Sequence, residues 1–314
     1  MRSMMLTPEW QIVQAMEQRV QALRKEEADE ENLLKVAVTE LDAYARTLGG
    51  LPRIPVLFEA WAGYTAVSEW VLEPRHMAPL FSKLTKHAIK WWVLRKSGEV
   101  LGKALVVHTQ SVAQLGAQLE KLASSLDMLE IRGAGWEQFL NSEERMLSEG
   151  DLACVAKMLG QLLTLRLEIS LFGELVAGYL NAIGSFRETY RRDLQAELKR
   201  ARAALAKAKF HDYKKSYPVV IPPNKVQVIT RPGLEALRHV LGADAFQVEG
   251  VLGSTERLHS AWQVIDTYAE SASSNLKRVS SQRELALFMI YFERFLGQWQ
   301  QVGKQSKRLR DAFA

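Results

Sequence analysis

Along most of the chain, apolar residues recur in alternating steps of three and four, the spacing that lays one narrow stripe along a helix. Thr7-Pro8-Glu9 reads as a helix start: a capping hydroxyl, a proline at the first helical position and an acid in the first turn. The helix it opens is expected to reach about Leu48 on a seam of Val13, Met16, Val20, Leu23, Leu34, Ala37, Leu41, Tyr44 and Leu48. Glu27 and Glu30 interrupt that seam and mark a wet or mobile stretch. Gly49-Gly50 ends the helix. An aromatic-rich connector follows over residues 49–80, with Pro52, Pro55, Pro74 and Pro79 bracketing one short helix and Phe58, Trp61, Tyr64 and Trp70 packing it down.

A second long helix is predicted from about Phe81, with Leu101, Leu105, His108, Val112, Leu115, Leu119, Leu122, Leu126 and Leu129 in heptad register until Gly133 and Gly135 stop it. A short helix around Trp136, Phe139, Leu140 and Leu147 should end at Gly150, and Asp151 caps a helix running from Leu152 to about Lys209. At about 1.5 Å per residue that helix is roughly 85 Å long, which predicts a rod. Between Phe210 and Gly233 the pattern turns β-branched and proline-rich, the one candidate for extended structure. The heptad resumes at Leu237, Leu241, Asp244, Val248, Val251, Thr255, Leu258, Trp262, Ile265, Ala269, Ala272 and Leu276, with Gly250 and Gly253 as weak points. Ser281-Gln282-Arg283-Glu284 is a capping box that opens a last helix, whose seam is Leu285, Phe288, Phe292, Phe295, Trp299, Val302, Ser306, Leu309 and Phe313. The expected fold is all-α: a single domain over 1–314, an elongated bundle of long heptad-patterned helices. The connector 49–80 packs on it, and a short extended or β-hairpin tip at 210–233 lies between the two longest helices.

Composition adds little to this pattern. A hydrophobic share of 47% is enough for a real core, and a net charge of +5 is too small to demand a polyanionic partner. The single Cys154 rules out a disulfide framework. Met1 to Trp10 carries Arg2 with no apolar run behind it, so no secretory signal peptide is expected, and the protein is expected to be made in the cytoplasm and released as a soluble molecule. The most apolar stretch, Leu152 to Phe186, contains Lys157, Arg166, Glu168 and Glu174, which makes it a core helix rather than a membrane span.

Candidate chemistry is sparse. His76, His87, His108, His211, His239 and His259 fall in no metal-ligand spacing. His108, on a seam, reads as a core histidine bonded to a neighbour rather than as a pH switch. Gly133-Ala134-Gly135-Trp136 follows a helix and lacks a succeeding Lys-Ser or Lys-Thr, so it is a turn and not a phosphate loop. The serine pairs 124–125, 273–274 and 280–281 have no accompanying His/Asp pattern. No catalytic residue, metal, cofactor or small-molecule substrate is assigned, and no enzyme is expected.

One local charge feature stands out. Arg187, Arg191, Arg192, Lys199, Arg200, Arg202, Lys207, Lys209, Lys214 and Lys215 crowd one stretch with few acids between them. Clustered cations suit anionic lipid headgroups or nucleic-acid phosphates, and a solvated helix face is the plain alternative. Few interleaved aromatics argue against nucleic acid, while the run's leading straight into the apolar tip argues for lipid. On that reading Tyr213, Tyr217, Val219, Val220, Ile221, Pro222, Pro223, Val226 and Val228 are membrane-contact candidates. Arg200, Arg202, Lys207, Lys209, Lys214, Lys215 and Lys225 are headgroup-contact candidates. A proline-rich helix–helix connection remains the other reading of the tip.

The C-terminal third carries a resemblance. Ala261-Trp262-Gln263-Val264-Ile265, then Ser271 to Asn275 with Leu276, then Leu285, Phe288, Phe292, Phe295, Trp299, Val302, Leu309 and Phe313 resemble the closing pattern of the A component of the alpha-xenorhabdolysin family. Those proteins are binary α-helical pore-forming toxins related in architecture to cytolysin A. A second echo is His87-Ala88, then Trp91 or Trp92, with Gly98 or Gly102 downstream. The resemblance implies a helical rod without enzymatic chemistry that binds membrane and assembles with a second helical component, with itself, or with both. Where that type of toxin component has an apolar, glycine-rich helical foot, this chain holds only Phe210 to Gly233, which implies a shortened tip. From another class, a coiled-coil scaffold holding partner proteins fits the same seams without membrane activity.

Overall fold

The structure is a computed structural model that describes residues 8–25, 27–126, 135–140, 143–211, 216–221, 225–230, 233–245 and 247–314. Its helices are α1 (Pro8–Lys25), α2 (Glu27–Gly49), α3 (Pro55–Ala62), α4 (Pro74–Ser124), α5 (Glu137–Leu140), α6 (Glu149–Asp193), α7 (Gln195–Leu205), α8 (Gly233–Gly242), α9 (Val248–Leu276) and α10 (Gln282–Phe313). The strands are β1 (Ala66–Val67), β2 (Phe210–His211), β3 (Ser216–Ile221) and β4 (Lys225–Thr230). The fold is therefore all-α with heptad-patterned helices and one six-pair hairpin, as the periodicity predicts. By contacts the chain forms two compact units: Met1–Lys35, Ser97–Leu180 and Gly253–Ala314 make the first, Val36–Lys96 and Asn181–Leu252 the second.

In the first unit α10 is the central element. Every predicted seam residue from Leu285 to Phe313 is buried, and its start is the expected capping box, with Ser281 Oγ accepting from the Glu284 amide while the Glu284 carboxylate accepts from the Ser281 amide. α1 and α5 pack on α10. Trp299 stands edge-on to Phe172 at 5.4 Å, and its indole N–H donates to the Thr109 carbonyl at 3.1 Å. Trp262 likewise donates to the Ile169 carbonyl at 2.7 Å. Trp299 is buried and Trp262 half-buried, and each contributes apolar area while keeping its one polar group satisfied.

The second unit is organised around α2, the first half of α4 and the end of α6. The described seam residues Leu34, Ala37, Leu41, Tyr44 and Leu48 are buried, whereas Leu23, Glu27 and Glu30 have side chains outside the described set. His87 is 1% exposed and stacks on Phe186 with ring centroids 3.9 Å apart. Its Nε2 donates to the Phe186 carbonyl at 3.2 Å and its Nδ1 accepts from the Tyr44 hydroxyl at 2.8 Å. Burial, helped by the Lys90 charge and opposed by the Phe186 carbonyl and Asp193, pushes the imidazole pKa down to about 4. The imidazole is therefore neutral, which is what fixes those donor and acceptor roles. Beside it Asp42 accepts from both the Trp91 indole and Arg95 Nε at 2.8 Å.

Several boundaries differ from the pattern. α4 starts at Pro74, about two turns before Phe81, and continues through Pro79. Pro79 is exposed, and burial of Met77, Ala78, Leu80 and Phe81 around it offsets the one backbone bond it removes. The same helix stops at Ser124 rather than at Gly133, because the hydroxyls of Ser124 and Ser125 take up the last-turn carbonyls of Lys121 and Leu122. Residues 127–134, with Leu129 and Gly133, lie outside the described set. Leu147 is not helical: its amide donates to the Ser280 carbonyl beside a Met146–Ser281 bridge. The cap of α6 is Ser148, in a reciprocal box with Asp151, and Gly150 lies inside the first turn. Trp70 is 59% exposed, because the 3-10 turn Trp70–Leu72 buries Leu72 and accepts the Tyr64 hydroxyl on the Leu72 carbonyl, leaving the Trp70 ring against His76. Finally, the helix expected to run unbroken to Lys209 is interrupted at Leu194 (φ −120°) and ends at Leu205, and the seam expected from Leu237 to Leu276 parts between Gly242 and Val248, leaving Asp244 exposed.

Candidate membrane-contact segment

The predicted tip is a hairpin. β3 and β4 pair antiparallel, Ser216 with Thr230, Tyr217 with Ile229, Pro218 with Val228, Val219 with Gln227, Val220 with Val226 and Ile221 with Lys225. The β-branched character of both strands suits the pleat, and this register places the candidates Tyr217, Val219, Val220 and Ile221 on one strand beside Val226 and Val228 on the other. Pro222 and Pro223, between the strands, and Tyr213, Lys214 and Lys215, before them, lie outside the described residues.

The stem of this segment is tied down in a way the pattern did not announce. β2 pairs with β1, Phe210 opposite Val67 and His211 opposite Ala66. Ser68 and Lys209 exchange two more bonds at 2.9 Å, Ser68 N–H to the Lys209 carbonyl and Lys209 N–H to the Ser68 hydroxyl. Phe210 packs on Tyr64 with centroids 4.8 Å apart, and Tyr64 in turn meets Phe58 edge-on. Two-residue strands carry no readable period, so only the aromatic content of the connector hinted at this clasp.

The basic approach is less uniform than its composition suggests. Arg187 and Arg191 both reach Glu249, at 3.4 and 2.8 Å, and Arg192 pairs with Asp193 at 2.7 Å. Arg202 donates from Nε to the Leu241 carbonyl and from a terminal nitrogen to the Ala243 carbonyl at 3.2 Å, so it serves as a cap for α8. Arg200, Lys207 and Lys209 are exposed, and Lys225 opens β4. Arg200 also lines a second feature that the sequence did not bring forward, a cavity shared with Lys83, Lys86, Lys90 and Arg192. The spacing of the three lysines was the available signal, but it gains meaning only once α4 lies beside the end of α6.

Elsewhere, His108 donates from Nδ1 to Glu168 at 2.7 Å, the neighbour-bonded state expected of it. Along α6, Leu163, Leu167, Leu171 and Leu175 leave an apolar row 37–59% exposed at every fourth position. Among the described residues, no helix is long and apolar enough to cross a membrane, and no group of three or more His, Cys, Asp or Glu could hold a metal ion.

No family model matches the sequence, and no curated protein matches it. Solved structures of A components of the alpha-xenorhabdolysins are similar to it. XaxA from Xenorhabdus nematophila is 14% identical, with a TM-score of 0.38, over 89% of this chain and 96% of that one. YaxA from Yersinia enterocolitica is 12% identical, with a TM-score of 0.41, over 89% of this chain and 96% of its own. The XaxAB pore complex from Xenorhabdus nematophila matches at 11% identity and a TM-score of 0.39, over 90% of this chain and 97% of that one.

Proposed function

We propose that the protein is one component of an α-helical pore-forming toxin system, which meets a membrane at the β3–β4 hairpin and assembles with a second helical component, with itself, or with both. The observation that carries this reading is the six-pair ladder of Tyr-, Pro- and Val-rich strands reached directly from a basic approach. Six-residue strands rise only about 20 Å, short of a hydrocarbon core of roughly 30 Å. A lone two-stranded ladder also leaves the outer backbone groups of both strands unpaired, which lipid does not tolerate. The hairpin therefore acts at the interface: its apolar residues sit at the acyl boundary and Lys207, Lys209 and Lys225 at headgroup level, each cation adding about 1 kcal/mol near an anionic surface. Crossing the bilayer falls to a partner protein, and the exposed leucine row of α6 is a surface for that assembly. The driving force is transfer of apolar surface out of water, so no bond is made or broken and no catalytic group is needed.

Co-sedimentation with phosphatidylcholine/phosphatidylserine vesicles tests the hairpin. The wild-type protein is expected to pellet with them and the Val220→Asp/Ile221→Asp variant to stay in solution. Undiminished binding by the variant overturns the assignment. A wild-type protein that neither binds nor permeabilises vesicles supports instead a coiled-coil scaffold using the same leucines.

A further inference from the structure

Where α6 gives way to α7, five cationic side chains line one cavity of about 440 Å³: Lys83, Lys86 and Lys90 from α4, Arg192 from the end of α6 and Arg200 from α7. The lysines sit at i, i+3 and i+7, on one face of their helix. Two carboxylates share the lining, Asp193 and Glu197, and both are engaged. Glu197 accepts from Lys83 at 2.5 Å, and Asp193 accepts from Arg192 at 2.7 and 3.1 Å. Five cations less two carboxylates leave three positive charges in the lining. These are Lys86, Lys90 and Arg200. Neither lysine has an ion-pair or hydrogen-bond partner among the described residues, and Arg200 uses only its Nε, at 3.4 Å, on the Ala196 carbonyl. His87, also in the lining, offers no compensation, since both of its nitrogens are bonded elsewhere.

A break in the helix borders this cavity. The break at Leu194 starts a new helix of 11 residues, and Leu194 supplies no side-chain cap. The break is one residue long, with Leu194 N–H on the Tyr190 carbonyl and Leu198 N–H on the Leu194 carbonyl, and Leu194, Ala196 and Glu197 belong to the cavity lining. The field of Lys83 and Lys90 is felt across the cavity at Asp193, whose carboxyl is held below its ordinary pKa chiefly by Arg192 and further by these two lysines.

We propose that this cavity binds a phosphate monoester, held by Lys86, Lys90 and Arg200. A monocarboxylate would leave two of the three charges unanswered. A monoester dianion presents three acceptor oxygens, which suit two ammonium point charges and one guanidinium fork together. Such a group can arrive on a soluble metabolite or as the headgroup of a phosphatidic-acid lipid. The cavity shares only Arg200 with the headgroup candidates of the hairpin, so failure here and failure of the hairpin reading are distinct.

The test uses the full chain in two arms. In solution, isothermal titration with glycerol phosphate is expected to show saturable binding. Lys86→Gln/Lys90→Gln/Arg200→Gln should weaken it about tenfold or more, whereas Lys207→Gln/Lys209→Gln changes it less than about twofold. On vesicles matched in surface charge, phosphatidic acid, a monoester, is compared with phosphatidylglycerol, a diester. A preference for phosphatidic acid that the triple variant loses assigns the lipid source, and binding confined to glycerol phosphate assigns the soluble one. If the triple variant does not fold, Lys86→Gln alone should weaken binding about threefold. Absence of glycerol-phosphate binding together with equal affinity for the two lipids overturns the proposal, as does binding that the cavity variants leave unchanged.

Discussion

Replacing Gly102 with alanine tests how closely α4 and α10 approach in the first unit. A Cβ at Gly102 would lie 2.5 Å from Arg310 Cα and 2.9 Å from that residue's N and Cβ. Carbon atoms pack at about 3.5–4.0 Å, so the two helices must part locally by about 1 Å. A backbone atom cannot swing aside as the end of a side chain can, whereas Gly98, one turn earlier, is crowded by side chains alone, the Tyr179 hydroxyl and the Phe313 ring. Overpacking of this kind costs about 1–3 kcal/mol, against which removing a mid-helix glycine returns about 1 kcal/mol. The net expectation is a loss of about 0–2 kcal/mol. Gly178→Ala on α6 is the matched control: nothing lies within 4 Å of its Cβ, so the same chemical change should stabilise by about 0.5–1 kcal/mol. Thermal and urea denaturation followed by helical circular dichroism should therefore place Gly178→Ala above Gly102→Ala, by about 1–5 °C in the thermal midpoint. A Gly102→Ala protein as stable as the Gly178→Ala protein refutes the close approach.

Three other perturbations follow from the same packing. Because burial holds the His87 pKa at about 4, below its unfolded value, the neutral imidazole favours the folded state fully above about pH 6.5, and that contribution is lost as pH falls toward 4. It amounts to about 3 kcal/mol at most, and His87→Gln should flatten the dependence of the urea midpoint on pH between 7 and 4.5, while a parallel slope in the variant excludes this histidine as the source. Ser281→Ala removes the acceptor of the α10 capping box and should cost about 1 kcal/mol, an unchanged urea midpoint being the contrary result. Asp42→Ala strips the acceptor from the buried Trp91 indole and from Arg95 together and is expected to cost about 1–3 kcal/mol, with tryptophan fluorescence reporting the altered indole environment.

Legibility in the sequence followed the length of the periodic signal. The α10 seam could be named residue by residue because eight turns of one pattern end in an unambiguous box, and the described α2 seam was equally clear. The β-branched, proline-rich composition marked the β3–β4 segment as extended or hairpin, and the structure makes it a hairpin. The break at Leu194 was not readable, since leucine is a good helix former and the interruption is imposed by tertiary surroundings. Asp151 reads as the cap of α6 in place of Ser148 because the two form a box in which either polar residue looks like the first. For the site, composition could collect cations but not say which were engaged: Arg202 caps a neighbouring helix and Arg191 pairs with Glu249, whereas Lys86 and Lys90, distant in sequence, join Arg200.

The short clasp between β1 and β2 decides what yields first when the hairpin is pulled. Tension entering at Ser216 travels back along the chain to Phe210 and His211, which are held by a two-residue ladder and the Ser68–Lys209 bonds. Each such bond contributes only about 1 kcal/mol net, and the ladder can open one rung at a time, whereas the helix behind it ends under the Arg202 clamp on Leu241 and Ala243. Under load the clasp is therefore expected to part before the helices do, releasing the chain between α7 and the hairpin as slack.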